Sequence, residues 1–155
     1  MTARHRSKVE PQVDHLLVDR LWEMYRVDWF DCLYADTTAE DLLQYPPQEE
    51  FVGDDPKRDD NAWNFGRVRF FFEKLQKGLS LEPITVDNIC NNGHIAPVPV
   101  LIDGHHRLAA HRIAKVQKVS TYYSGRVDLL DYLVGKTEQV PEYLCPFSDQ
   151  KRDSE

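Results

Sequence analysis

Asp103-Gly104-His105-His106-Arg107 places a carboxylate, a glycine, two imidazoles and a guanidinium in consecutive positions. An apolar run from Val98 to Ile102 stops at this point, and a helical pattern opening with Leu108-Ala109-Ala110 follows it. The stretch therefore predicts a strand, a tight turn and a helix whose first turn carries the cations. A helix N-terminus presents backbone N–H groups with no intrahelical acceptor, together with the positive end of the helix macrodipole. Arg107 and the imidazoles added there make a seat for a phosphate or carboxylate.

Each residue has a chemical reading and a plainer competitor. The planar fork of Arg107 suits phosphate oxygens; its competitor is an arginine paired with a carboxylate. His106 is placed to donate to a phosphate or to offset developing charge, and otherwise packs on the sheet. His105 either adds a donor or faces solvent. Asp103 suits Mg²⁺ bridging phosphates, since Mg²⁺ is held by one or two carboxylates plus phosphate; Asp before a helix is also a good N-cap. Gly104 lets the backbone approach a ligand closely. The histidines, with His111 further along the helix, also have spacings open to a transition metal, but no carboxylate or Cys completes a set at helical spacing.

The surrounding composition narrows the ligand class. The 155 residues suffice for one domain with a core. The net charge is −7, which argues against a dedicated nucleic-acid binder. Between Gly104 and Val127 there is no acid, while Arg107, Arg112, Lys115, Lys118 and Arg126 all lie there. A local basic stretch on an acidic chain favours a small anion over a long polyanion. The 3 cysteines are far apart and form no CxxC, so neither a disulfide framework nor a zinc knuckle is expected. No run approaches a membrane span, and the expectation is a cytoplasmic protein with no membrane partner.

The elements that must position the turn follow from periodicity. Residues 1–10 read as a polar arm, residues 11–147 as one domain, and residues 148–155 as a polar tail expected to be disordered. Apolar positions from Val13 to Tyr25 predict a helix over Gln12–Arg26. Val27–Tyr34 reads as a strand. Asp36-Thr37-Thr38 caps a short helix over Ala39–Gln44, and a charged loop runs from Gln48 to Asp60. Asp59 or Asp60 caps a helix over Asn61–Lys77, stopped by Gly78. Its aromatic cluster, Trp63, Phe65, Phe70, Phe71 and Phe72, reads as core, with base stacking open to Trp63 only if it is exposed. Strands over Ile84–Cys90 and His94–Ile102 flank an Asn91-Asn92-Gly93 hairpin turn. Pro97 and Pro99 put part of the second strand at an edge. A helix over His105–Lys115, a strand over Lys118–Ser124 and a helix over Val127–Val134 complete an α+β domain, a small mixed sheet with helices packed on it. Ser120, Ser124 and Cys90 have no visible base beside them, so no nucleophilic triad is supported.

Asp103-Gly104-His105-His106-Arg107-Leu108-Ala109-Ala110 resembles the signature turn and helix of the ParB/sulfiredoxin-like superfamily. Lys77-Gly78-Leu79-Ser80-Leu81-Glu82-Pro83-Ile84-Thr85-Val86 resembles that family's lead-in, and the resemblance covers residues 61–135. It implies nucleotide phosphates seated on the turn by Gly104, His105, His106 and Arg107, with His106 and Asp103 as catalytic residues and Asp103 as the Mg²⁺ ligand. Where sulfiredoxins carry a catalytic cysteine this chain has His105, which removes that chemistry. The partition proteins carry Gly-Glu-Arg-Arg at the turn and need a further pocket region and a DNA reader, for which about 20 residues after Gly135 leave no room. The small-molecule kinase branch, represented by free serine kinases, matches Asp-Gly-His-His-Arg best. Its acidic base has Asp31, Glu40 and Glu10 as candidates here. The expectation is an NTP-hydrolysing or phosphoryl-transferring enzyme. A metal-dependent nuclease acting on DNA or RNA and a non-catalytic module binding a protein partner are the alternatives, since one fold hosts many activities.

Overall fold

Along Lys118–Arg126 every second side chain is buried, with Val119, Thr121 and Tyr123 turned inward and Lys118 and Tyr122 exposed. That period of two is the signature of a strand with one covered face. In the computed structural model, which describes residues 8–25, 34, 36–49, 60–89 and 95–141, the elements are β1 (Lys8–Leu17), α1 (Val18–Tyr25), α2 (Ala39–Leu42), α3 (Asp60–Gln76), β2 (Ile84–Ile89), β3 (Ile95–Asp103), α4 (His105–Ile113), β4 (Lys118–Arg126) and α5 (Val127–Leu133). The strands form a mixed sheet in the order β1-β4-β2-β3. β1 and β4 pair antiparallel, as do β2 and β3, while β2 and β4 run parallel. The chain is an α+β protein, with β3 at an edge where Pro97 and Pro99 need supply no ladder hydrogen bond.

One apolar cluster joins the layers. Leu16, Ile84, Val86, Leu101, Val119 and Tyr123 from the sheet meet Leu21, Leu42, Val68, Leu108 and Leu129 from the helices. Arg20 ties α1 to α5 and the segment beyond it, donating to the Tyr132 and Thr137 carbonyls at 2.6 and 2.7 Å. Thr38 caps α2 with a reciprocal capping box to Asp41. Gly78, at φ +78°, ends α3: its N–H bonds the Leu75 carbonyl and the Leu79 N–H bonds the Lys74 carbonyl, each at 3.0 Å. This is a Schellman stop.

The N-terminal expectation needs correction. The helix predicted over Gln12–Arg26 begins only at Val18, and Lys8–Leu17, including three residues assigned to the polar arm, is strand β1. Val13, Leu16 and Leu17 fit helical spacing, yet Val13 is 49% exposed and only Leu16 is fully buried. Pairing with β4 overrides the local pattern, as tertiary context does for short segments. Tyr34, expected to end a strand, is helical, and the rest of Val27–Tyr34 lies outside the described residues. The Asn91-Asn92-Gly93 turn, Cys32, Cys90, Cys145 and the tail also lie outside them.

The strand assignment separates two substitutions that a helical stripe would treat alike. Leu16→Ala is expected to cost about 2–5 kcal/mol in denaturant unfolding. Val13→Thr, on the exposed face and still β-branched, is expected to stay within about 0.5 kcal/mol. Comparable losses from both would contradict the register.

Candidate anion-binding site

The turn is built where β3 ends and α4 begins. Gly104 is the N-cap of α4, buried, with φ +106° and ψ 26°. L side chains rarely adopt this left-handed conformation. A Cβ placed there would clash with Ile84 Cγ2, so the glycine is required by the approach of β2 as well as by its own backbone. Gly104 thus supplies no side-chain cap, and Asp103, the last residue of β3, is not the cap expected of it.

Arg107 is 11% exposed and heavily engaged. Its Nη1 donates to the Glu82 and Pro83 carbonyls, both at 2.9 Å, and its Nη2 pairs with Asp103 Oδ2 at 3.0 Å. The pairing with a carboxylate is present, and with it a tie to the backbone that leads into β2. Asp103 itself is 71% exposed.

His106 packs edge-on to Trp63 and lies with Nε2 2.8 Å from Asn64 Oδ1. A bond to that carbonyl oxygen requires the nitrogen to carry the proton and donate. Burial first, then the nearby charges of Arg67, His105 and Arg107, push its pKa down from 6.5 to about 4. The ring is therefore neutral near pH 7, and it offers the turn no positive charge. His111 donates from Nδ1 to the Arg107 carbonyl at 2.7 Å, inside the helix, and burial lowers its pKa too. Trp63 is 8% exposed and belongs to the interior, not to a stacking surface.

No sequence pattern singles out Arg67, which the fold brings to the turn from α3. With Phe71 and Asp103 to Arg107 it lines a cleft of about 160 Å³. Its Nη1 donates to the Gln48 and Glu49 carbonyls at 3.0 and 2.5 Å, and its guanidinium lies 4.7 Å over the Phe71 ring. Its Nε is buried and has no hydrogen-bond partner, and no carboxylate pairs with it among the described residues. Burial and the charge of Arg107 both lower its pKa. An arginine on a helix face has no motif around it; only the Gly78 stop and the following loop, which swing α3 beside α4, make it visible.

Other expectations fall elsewhere. Glu40 lines a separate cleft with Asp19, Thr38, Arg112 and Lys115, near the far end of α4 from the turn. Glu10 lies in β1, and Asp31 lies outside the described residues. No group of three or more His, Cys, Asp or Glu fit for a metal occurs among the described residues. The transition-metal reading therefore loses its ligand set, while Asp103 supplies one carboxylate, enough for Mg²⁺ only if phosphates complete its shell. Ser120 does have a base beside it: His15 Nδ1 lies 3.3 Å away across the β1–β4 ladder. Neither of the two lines any of the clefts described here. The basic stretch is largely consumed by the fold, since Arg112 stacks 4.6 Å from Trp22 and Arg126 is buried beside Asp128. That weakens the case for a polyanion.

Two measurements test this arrangement. Gly104→Ala is expected to cost about 2–4 kcal/mol, from the left-handed backbone and the clash with Ile84. For His106, the native pKa lies below that of the unfolded chain, so acid protonates the unfolded chain first. The stability it contributes is whole above pH 6.5 and is lost as pH falls toward about 4. Unfolding free energies over that window are expected to slope downward in acid, and less steeply in His106→Gln. An unchanged slope would contradict the burial of a neutral imidazole.

Among known proteins, no family model, no curated protein and no solved structure matches this chain. No helix among the described residues is long and apolar enough to cross a membrane.

Proposed function

We propose that this chain is a nucleotide-binding enzyme of ParB/sulfiredoxin-like fold that hydrolyses or transfers a terminal phosphate. The observation that carries the reading is the convergence of Arg67 and Arg107 on one cleft at the start of α4. Arg67, whose pKa is lowered by burial and by the charge of Arg107, and Arg107 beside it gain from an anion placed between them. The first-turn amides of α4 add oriented donors. In this reading Arg67, Arg107 and those amides hold phosphate oxygens and offset charge in the transferring group. Bound Mg²⁺ would be held by Asp103 and would supply further charge neutralisation. His106, neutral and held by Asn64, shapes the seat. The acceptor is water or a small alcohol.

A second reading is favoured by one specific observation. Arg107 already has three partners within the protein. A module that keeps the fold and binds a protein partner would use Arg107 in this structural way alone.

Thermal-shift and titration measurements with ATP, CTP and GTP, with and without Mg²⁺, separate the two. One nucleotide is expected to raise the melting temperature, and Arg67→Ala is expected to weaken it about tenfold or more. Mg²⁺-dependent phosphate release that falls in Asp103→Asn is expected alongside. No shift with any nucleotide would overturn the enzyme reading and leave the partner-binding one.

A further inference from the structure

The helices pack on one face of the sheet. Leu16, Val86, Val119 and Tyr123 point into the apolar cluster, so the residues that alternate with them point the other way. On this second face Val13 pairs with Tyr122 across β1 and β4, and Tyr122 with Thr85 across β4 and β2. Asp87 is level with Ser124 on one side and Val100 on the other. Of the six large hydrophobics exposed among the described residues, four lie here: Val13, Tyr122, Val100 and Ile102. A sheet face turned to water ordinarily alternates to polar side chains. Single exposed hydrophobics are normal, whereas a group gathered on one surface marks an interaction site.

The charges of this face identify what covers it. Lys118 is exposed at the start of β4, and Asp87 is level with Ser124, six residues along the same strand. At about 3.3 Å per residue the two are separated by about 20 Å, too far to pair within one chain. The midpoint between them falls beside Tyr122 and Thr85. A twofold axis lying in the plane of contact and crossing that line at right angles sets Lys118 of each copy over Asp87 of the other, with Tyr122 close to the axis. One patch then matches itself, which is what an isologous interface demands. We propose that this open sheet face, centred on Tyr122, joins two copies of the chain in a twofold dimer. Four strands at about 4.8 Å spacing and about 20 Å of strand length give a flat footprint of about 400 Å² per copy. Stable dimers bury about 800 Å² per partner, so this association is weak, with a Kd of about 10–100 µM. Helix α4 packs on the covered side through Leu108, so the inference stands apart from the nucleotide reading.

Sedimentation equilibrium of the full chain from about 5 to 500 µM tests it. A reversible monomer–dimer transition is expected. Tyr122→Lys, at an exposed position, is expected to raise the Kd about tenfold or more with an unchanged melting temperature. If that variant melts early, Val100→Lys puts the same question at the β3 edge. Lys118→Glu and Asp87→Lys are each expected to weaken the dimer about tenfold, because each sets like charges against each other twice. The double variant Lys118→Glu/Asp87→Lys is expected to recover the wild-type Kd within about threefold, a rescue that only contact between copies can give. A monomer at every concentration, a larger assembly, a dimer indifferent to the Tyr122 and Val100 variants, or a double variant no tighter than its single parents would each overturn the proposal.

Discussion

The contact of Gly104 with Ile84 governs the geometry of the whole turn. Ile84 is fully buried and pairs with Thr121 in the parallel β2–β4 register, so it is fixed near the middle of the sheet. Its side chain fills the space a Cβ on Gly104 would occupy. The first turn of α4 is thereby pressed onto β2, and Arg107 reaches back to the carbonyls of Glu82 and Pro83 just before Ile84. Backbone and side chain clamp the same short segment. Because that segment follows directly on the stop of α3, the clamp also sets how α3 lies beside α4, and so brings Arg67 to the turn.

The result is a local electrostatic conflict. Burial and the charge of Arg107 lower the tendency of Arg67 to stay charged, and each arginine satisfies part of its guanidinium with main-chain carbonyls. Carbonyl dipoles satisfy donors without cancelling net charge. Repulsion between like charges grows as water is excluded from between them. His106 responds by staying neutral, and Asp103 relieves Arg107 alone. Arg67 keeps an unsatisfied buried Nε. Functional sites characteristically retain such unrelieved charge.

Much of this was legible in the sequence because it is local. Gly104 after an apolar run, the Gly78 stop and the prolines of β3 each report backbone constraints that a few neighbouring residues impose. β4 and α5 were legible for the same reason, from their short periods. β1 was not: Val13, Leu16 and Leu17 satisfy a helical spacing, and only the ladder to β4, more than a hundred positions away, decides otherwise. Arg67 was hidden by the same kind of distance. Its helix is legible from the periodicity, but the stripe it shares with Phe70, Phe71 and Lys74 looks like ordinary amphipathic surface until the Ser80–Glu82 loop faces it. The motif points to Arg107 as a ligand contact, whereas its backbone tie depends on where Glu82 and Pro83 end up.

Whether that tie leaves Arg107 any capacity to bind turns on magnitudes. The bonds from Nη1 to two carbonyls fix the guanidinium plane and belong to the fold. The bond from Nη2 goes to Asp103, a carboxylate that is 71% exposed. Such half-solvated pairs contribute about 0–1 kcal/mol. A charge-assisted hydrogen bond to a phosphate oxygen contributes about 1.5–3 kcal/mol, more when a second guanidinium shares the anion. In the proposed reading a phosphate oxygen would take the place of Asp103 at Nη2 and free the Asp103 carboxylate beside it. The internal pairing of Arg107 is compatible with the proposed binding role: Nη1 holds the fork in place, and Nη2 is the part that the proposed anion would engage.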